Sequence, residues 1–213
     1  MATGETSALM ALRDPDIRLM LRVRADDREA FAELVGRYQH RLVGVMHHLV
    51  GRRDEAEDLA QEVFLRVFRN RHKYSPQAKF ATWLFTIANN LALNHLRSKG
   101  RSPLVGGGVG AGSSSSGEQA IGPVDGRAVS REGTPSAQLR KVELSDVVRD
   151  ALDVLNEDQK VAVLLNKFEE MSYAEIAEVM GRSEPAVKSL LARARTHLRE
   201  QLEPYLKTGQ RTP

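Results

Sequence analysis

Apolar residues recur every three or four positions before residue 100, and this spacing predicts amphipathic helices rather than strands. Asp26 and Glu29 form a capping-box pattern that opens a helix to about Leu49. Asp54 and Glu57 repeat the pattern at the start of a second helix. The apolar positions that should face a core are Phe31, Leu34, Val35, Tyr38, Leu42, Val45 and Leu49 in the first helix and Ala56, Leu59, Ala60, Val63, Phe64, Val67 and Phe68 in the second.

After residue 138 the same periodicity predicts about four further helices. The first covers Val142 to Leu155, and the second begins at the cap Asn156 with Gln159 reaching back to it. The apolar side of this second helix comprises Val161, Leu164, Leu165 and Phe168. The whole chain is therefore predicted to be all-α.

The last two predicted helices form a helix-turn-helix pattern. A capping box at Ser172–Glu175 opens a short helix to Met180, and Gly181 suits the left-handed turn that ends it. Ser183 then caps a long basic helix, with Pro185 in its first turn, where proline is tolerated. This arrangement favours DNA binding, although other all-α proteins contain similar turns.

A linker is predicted between the two helical stretches. Gly100 to Gln138 holds ten of the sixteen glycines, seven serines, three prolines and no aromatic residue. Such a segment buries too little apolar surface to offset the entropy of ordering it. We therefore expect two small helical modules on a flexible tether that lets them bind separated sites.

Composition excludes several classes of function. The chain lacks cysteine, which removes disulfides and thiolate metal sites and suits a reducing cytoplasm. It contains no phosphate-binding loop, no HExxH or GxSxG motif and no dinucleotide fingerprint, so we expect no enzyme activity and no cofactor. No apolar run is long enough to span a bilayer, and we expect a cytoplasmic protein. The net charge of +3 points only weakly to nucleic acid.

The last helix divides cleanly into an apolar and a basic side. Val187, Leu190, Leu191, Ala194 and Leu198 share the inward face, whereas Pro185, Lys188, Ser189, Ala192 and Thr196 lie opposite, with Arg193 at the edge. Small and basic side chains suit close approach to a major groove, and Arg182 and Ser183 at the amino end suit a phosphate. The alternative is an ordinary solvated cationic face.

The helix Phe80 to Arg97 carries an unusual polar side. Its buried stripe is Phe80, Leu84, Ile87, Ala88 and Leu91, which leaves Thr82, Thr86, Asn89, Asn90, Asn94 and Arg97. Asparagine lowers helix propensity, so these residues suggest another purpose, such as hydrogen bonding to exposed bases. Trp83 is either part of a stacking platform or a core residue.

The segment Asp54–Glu62 carries five acids and no base. Acids in the first turns complement the helix dipole, which accounts for Asp54, Glu55 and Glu57. Asp58, Gln61, Glu62 and Leu65 lie opposite the core stripe and remain as a candidate protein-binding face.

These segments together resemble the extracytoplasmic-function (ECF) sigma factors of the sigma-70 family. DEAEDLAQEVFLRVFR is similar to the family's polymerase-docking region, FATWLFTIANNLALNHLRSK to its minus-ten regions, and LNEDQKVAVLLNKFEEMSYAEIAEVMGRSEPAVKSLLARARTHLRE to its final domain. The resemblance implies an N-terminal extension (1–14), a region 2 domain (15–99), the linker (100–138), a region 4 domain (139–203) and a C-terminal tail (204–213).

The resemblance also implies partners and roles. Asp58, Gln61 and Glu62 would bind the clamp helices of core RNA polymerase. The minus-ten contacts would be Lys73, Tyr74, Lys79, Trp83, Thr86, Asn89, Asn90, Asn94 and Arg97, of which the loop Lys73–Lys79 captures a flipped base. The minus-thirty-five contacts would be Arg182, Ser183, Glu184, Pro185, Lys188, Ser189 and Arg193. Promoter DNA and the polymerase flap would be further partners, and an anti-sigma factor is expected as a regulator.

Two other functions stay open from the residues alone. A plain helix-turn-helix regulator would use the last helix but would leave the Asp58 face and the asparagine-rich helix without purpose. An interaction protein that titrates a partner would bind polymerase without starting transcription.

Overall fold

The computed structural model describes residues 14–101 and 135–208. Within them the chain forms eight α-helices, one short 3₁₀ turn and no strand, which confirms the predicted all-α class. The predicted linker lies for the most part, at residues 102–134, outside the described ranges. The helices are α1 (Pro15–Arg24), α2 (Arg28–Val50), α3 (Arg53–Arg69), α4 (Phe80–Arg101), α5 (Pro135–Asp153), α6 (Glu157–Lys167), α7 (Tyr173–Met180) and α8 (Glu184–Thr208), with the 3₁₀ turn at Arg71–Lys73.

The first module is built from α1 to α4 around one apolar core. The predicted stripes of α2 and α3 pack against each other, although five of their residues are only half-buried: Phe31, Val35, Leu49, Leu59 and Phe68. Its fully buried larger side chains include Ile17, Met20, Val23, Leu34, Leu42, Met46, Val63, Phe80, Leu84 and Phe85. The polar sides of α3 and α4 therefore point away from this core.

Helix α1 was not predicted, although the sequence signals it. Asp14 accepts the backbone N–H of Asp16 at 2.9 Å, and Pro15 occupies the first helical position, where no donor is needed. The other oxygen of Asp14 accepts the N–H of Phe80 at 3.2 Å. One carboxylate thus caps α1 and anchors the start of α4.

Two predicted caps in the first module are wrong. Asp26 adopts a left-handed conformation (φ 67°) in the turn after α1 and binds Arg71 at 2.7 Å, so Asp27 caps α2 instead. Helix α3 begins at Arg53 without a side-chain cap, because the Asp54 carboxylate pairs with Arg52. In both cases a nearby arginine competes for the carboxylate that the pattern assigned to backbone N–H groups.

The second module, α5 to α8, follows its predicted caps closely. Complete capping boxes form at Asn156–Gln159 and Ser172–Glu175. Gly181 ends α7 with φ 60°, and Ser183 accepts the N–H of Ala186 at 3.4 Å at the start of α8. The core includes Leu164, Ile176, Val179, Val187 and Leu191. Helix α4 runs to Arg101 rather than Arg97, and α5 begins at Pro135 rather than Val142.

The two modules lie in contact. Helix α7 packs along α4, and the end of α6 meets α2. None of the described helices combines the length with the apolar character that crossing a bilayer requires.

Candidate nucleic-acid interface

Helix α8 presents the basic side that its sequence predicts. Val187, Leu191 and Ala194 are buried in the second module. Because these contacts fix the helix, the opposite side is held outward: Glu184, Pro185, Lys188, Ala192, Arg193 and Thr196 are exposed, and Ser189 is half-buried. Arg193 donates to Ser189 at 3.0 Å, which orients its guanidinium along the exposed side.

The turn before α8 lies at the exposed amino-terminal end of that helix and contains an arginine that forms an ion pair. Arg182 is exposed and pairs with Asp158 at 2.6 Å, and its backbone N–H bonds the Ala177 carbonyl at 2.9 Å. Ser183 is exposed beside it. The guanidinium therefore lies near the first turn of α6 and must leave Asp158 to meet a phosphate.

Helix α4 places its predicted residues in two environments. Asn90, Asn94 and Arg97 are exposed. Asn89 is only 6% exposed, and Thr82, one of the hydrogen-bonding residues singled out above, is 1% exposed. Thr86 is half-buried and donates to the Thr82 carbonyl at 2.8 Å. The polar side of α4 is thus open in its last turns and covered over its first half.

Helix α7 of the second module packs against this side of α4. Lys79, just before α4, pairs with Glu175 at 2.8 Å, and this hydrogen bond raises the pKa of Lys79. Asn89 makes a long hydrogen bond, 3.5 Å, from its amide nitrogen to the Val179 carbonyl. Among the described residues, neither the Asn89 amide oxygen nor the Thr82 hydroxyl finds a hydrogen-bond partner.

The open part of α4 forms one wall of a polar cleft of about 630 Å³. Asn90, Asn94 and Arg97 face it from α4, and Asp158 and Arg182 from the second module. Side chains of both signs and several amides therefore line the cleft.

The loop before α4 buries one aromatic residue and exposes its lysines. Tyr74 is buried with its ring 4.9 Å from that of Trp83, which is half-buried. Burial raises the pKa of Tyr74. Lys73 and Lys79 are exposed. Trp83 packs on the core through Tyr74 and Phe80, and its role in stacking stays a prediction.

The candidate protein-binding face on α3 is exposed as predicted. Asp58 and Gln61 are exposed, and Leu65 is 48% exposed beside them. Glu62 accepts from Arg66 at 2.8 Å, and this bond lowers the pKa of Glu62. No described residue forms an ion pair with Asp58.

The ion pair between the modules was not predicted from the sequence. Arg41 on α2 meets Glu169 at 2.5 Å, and the Glu169 side chain is only 1% exposed. Glu170, which follows in the turn after α6, adopts a left-handed conformation (φ 55°). Neither residue belongs to a local motif, so no local signal could have paired them. In the described ranges no cluster of three potential ligands could hold a metal ion.

The sequence matches two family models. Sigma-70 region 2 matches residues 34–102, and Sigma-70, region 4 matches residues 145–198. The RNA polymerase sigma-H factor of Pseudomonas aeruginosa is 33% identical over 93% of this chain and 99% of its own length. The ECF RNA polymerase sigma-E factor of Haemophilus influenzae is 32% identical over 92% of this chain and all of its own length.

Solved structures agree with these matches. The sigma factor RpoE from Bartonella quintana, in complex with the anti-sigma factor NepR, has a TM-score of 0.62 and 26% identity, covering 81% of this chain and 96% of that one. CnrH, in complex with the cytosolic domain of CnrY, has a TM-score of 0.64 over 90% of this chain and 99% of that one, and at 21% identity it supports the fold alone. Both the sequence and the two-module fold lead to one conclusion: the chain belongs to the extracytoplasmic-function group of the sigma-70 family of RNA polymerase sigma factors.

Proposed function

We propose that three surfaces of this transcription initiation factor have separate roles. The α3 face around Asp58 attaches the protein to core RNA polymerase, α8 reads the minus-thirty-five element, and α4 with its preceding loop holds the opened minus-ten region. The observation that carries the proposal is the basic, outward-held side of α8, combined with full-length similarity to sigma factors. The protein directs core polymerase to promoters and opens them there.

The minus-thirty-five role rests on the shape and charge of α8. Pro185, Lys188 and Ala192 are exposed on a helix whose other side is buried, so the helix can enter a major groove without unfolding. Lys188 and Arg193 supply donors for base edges and phosphates. The proposed contact set also includes Arg182, Ser183, Glu184, Pro185 and Ser189.

The minus-ten role rests on the open part of α4. An asparagine amide both donates and accepts, so Asn90 and Asn94 can pair with the edges of unstacked bases, and Arg97 can meet the backbone. Trp83 is only half-buried, and an aromatic ring of this kind can stack with an unpaired base. Trapping unpaired bases lowers the free energy of the opened strand, and promoter opening then needs no ATP.

The polymerase-binding role rests on the α3 face. Asp58 and Gln61 are exposed polar groups, and the exposed Leu65 beside them gives this face the mixture of polar and apolar groups found at protein interfaces. Glu62 belongs to the same face, where its partner Arg66 holds it in one orientation.

Location, regulation and chemistry follow from this proposal. The protein works in the bacterial cytoplasm, where it meets polymerase, and its own chain performs no catalysis. We also propose control by an anti-sigma factor, because the Bartonella relative is solved in complex with one.

The test is transcription by purified core polymerase with and without this protein on a pool of genomic promoter fragments. Start sites that appear only with the protein, below two spaced upstream motifs, are expected. Polymerase binding without transcripts would favour the titrating protein. The absence of both polymerase binding and transcripts would favour the plain helix-turn-helix regulator.

Single substitutions test which surface performs which role. We expect Lys188→Ala to reduce transcription from such a promoter about tenfold, whereas Lys207→Ala, near the end of the same helix, changes it little. Asn94→Ala should slow strand opening by a similar factor, with Ser98→Ala, one turn further along α4, as the control. Equal effects of a variant and its control would overturn that surface's assignment.

A further inference from the structure

We propose that Glu55 is a positioning residue: its carboxylate anchors the last turns of α4, which carry the proposed minus-ten contacts Asn94 and Arg97, to helix α3. This inference deepens the minus-ten role proposed above and rests on it. Three features of the structure support it: the contacts of the Glu55 carboxylate, the place of the two contact residues near the end of α4, and the polymerase-binding face that lies next to Glu55 on α3.

The Glu55 carboxylate contacts two side chains of α4 that lie one turn apart. Each of its oxygens lies 2.8 Å from the Lys99 ammonium nitrogen, and one of them also accepts a hydrogen bond from His95 Nε2 at 2.9 Å. Arg52, just before α3, approaches the same carboxylate at 3.5 Å. Donors from two helices therefore converge on one acidic group, whose side chain is only 18% exposed.

These partners keep Glu55 in its charged form. The hydrogen bond from Lys99, and after it the one from His95, lowers the pKa of Glu55, although burial acts in the opposite direction. An ionised carboxylate accepts hydrogen bonds only, and bonds to it are roughly twice as strong as those between neutral groups. The contact between α3 and α4 is therefore strong for a group near the surface.

Glu55 differs from the acid two residues further along α3. Glu57 pairs with Arg53 at 2.8 Å, so its contact stays within one turn of its own helix. The contacts of Glu55 instead join residues forty or more positions apart. The helix dipole accounts for a negative charge at either position. It does not account for the contact between Glu55 and α4.

The proposed DNA contacts lie in a part of α4 that is weakly held by the core. Asn94 and Arg97 are near the carboxyl end of this helix, which ends at Arg101. Beyond Ala92, none of the α4 side chains that the structure describes is buried. The last carbonyl groups of a helix lack partners within it, and helix ends open locally at low free energy. Such an end needs a further contact to keep its side chains in one orientation.

Glu55 supplies this contact on the correct side of α4. His95 and Lys99 are four residues apart, so they share the side of the helix that meets Glu55. Asn94 and Arg97 are exposed and lie on a different side. Holding His95 and Lys99 against α3 therefore leaves Asn94 and Arg97 directed outward.

The same contact links two proposed binding surfaces. Glu55 lies three residues before Asp58, which opens the polymerase-binding face one turn along α3. Ala56 and Ala60 are buried and fix α3 on the core. Polymerase bound to α3 thus receives the end of α4 in a defined position. Preorganisation of this kind reduces the conformational entropy that is lost when the DNA strand binds.

An anchor and a simple charge at position 55 predict effects of opposite sign. A carboxylate near bound DNA repels phosphates, so its removal, which also releases Lys99, should favour DNA binding if charge alone decided the outcome. Removal of an anchor instead disfavours DNA binding, because Asn94 and Arg97 lose their fixed orientation. The direction of the change therefore distinguishes the two.

The first experiment measures the rate of promoter opening by core polymerase carrying the full-length protein, from the permanganate reactivity of unpaired thymines. We expect Glu55→Ala to lower this rate roughly five- to tenfold, with unchanged affinity for core polymerase. Glu57→Ala removes an equal charge nearby and is the matched control, with a rate close to that of the wild type. Faster opening by Glu55→Ala, or equal rates for the two variants, would overturn the anchor.

Further variants separate anchoring from folding. Glu55→Gln keeps the shape of the side chain and a hydrogen-bond acceptor, so we expect it to restore most of the rate. Lys99→Ala breaks the contact from its exposed side and should also slow opening. The double variant with alanine at both positions should be no slower than Glu55→Ala, because both changes remove one contact. Additive effects would mean that Lys99 acts on DNA by itself, and would overturn the shared anchor.

Hydrogen exchange of the free protein measures the end of α4 directly. Glu55→Ala should speed the exchange of the amides of residues 94–99 severalfold, whereas the amides around the buried Phe85 should exchange as in the wild type. Unchanged exchange at residues 94–99 would contradict the anchor. Failure of the minus-ten role gives a different result: Asn94→Ala would then open promoters at the wild-type rate. Slow opening by Asn94→Ala together with normal opening by Glu55→Ala would overturn the anchor alone.

Discussion

Helices α4 and α8 are built alike but meet different surroundings. Each has an apolar side buried in its own module and a polar side opposite. The polar side of α8 is open to solvent, whereas Thr82 and Asn89 on α4 are buried, and Asn89 bonds the Val179 carbonyl on α7 of the other module. The periodicity of a helix therefore predicts which side avoids its own core, but it does not predict what a second module will cover.

The largest effects should come from the buried sides, where the two helices are alike. Leu84 on α4 and Leu191 on α8 are both buried, and replacing either by alanine should lower the free energy of unfolding by about 2–5 kcal/mol. Chemical denaturation followed by circular dichroism measures this.

Unfolding of both modules in one transition would show that the interface couples them, and Arg41→Glu should separate the two transitions.

The polar sides of α4 and α8 should respond differently when a threonine is replaced by valine. Thr82→Val removes a buried hydroxyl that lacks a partner among the described residues, so we expect a gain in stability of about 1 kcal/mol. Thr196→Val on α8 is the control, because Thr196 is exposed and bonded to the Ala192 carbonyl. A loss of stability in Thr82→Val would mean that the hydroxyl is satisfied in solution.

The smallest effect should be a pH dependence at the interface. Burial lowers the pKa of His48 to about 4, and the positive charges of His47, Arg149 and Lys160 act in the same direction while Asp153 opposes them. In the unfolded chain this group titrates near its usual value of about 6.5. Stability is therefore lost as the pH falls from about 6.5 toward 4, because the unfolded state binds the proton first.

Comparison with His48→Gln isolates this contribution. Burial raises the pKa of Glu169, although Arg41 opposes the shift, and Glu169 therefore acts in the opposite direction in acid. Between pH 7 and pH 5 the wild type should lose about 1 kcal/mol more than His48→Gln, since His48 is only partly enclosed. Parallel pH profiles would mean that His48 is solvated in both proteins.

Much of the fold was predictable because its causes are local. The spacing of apolar residues predicted every described helix except α1, and the caps at Asn156 and Ser172 form as predicted because each side chain and its backbone partners lie within one turn. The caps at Asp26 and Asp54 were mispredicted because Arg71 and Arg52 bind those carboxylates instead. Local patterns cannot rank such competitors.

The sequence by itself determined the all-α fold, the two modules and the basic side of α8, because each depends on which residues lie within a few positions of one another. Only the tertiary structure decided that Glu169 pairs with Arg41, that Asn89 bonds α7, and that Arg182 pairs with Asp158. These contacts join residues far apart in the chain. Their free energies depend on how two separately folded surfaces fit, and helical periodicity holds no record of that fit.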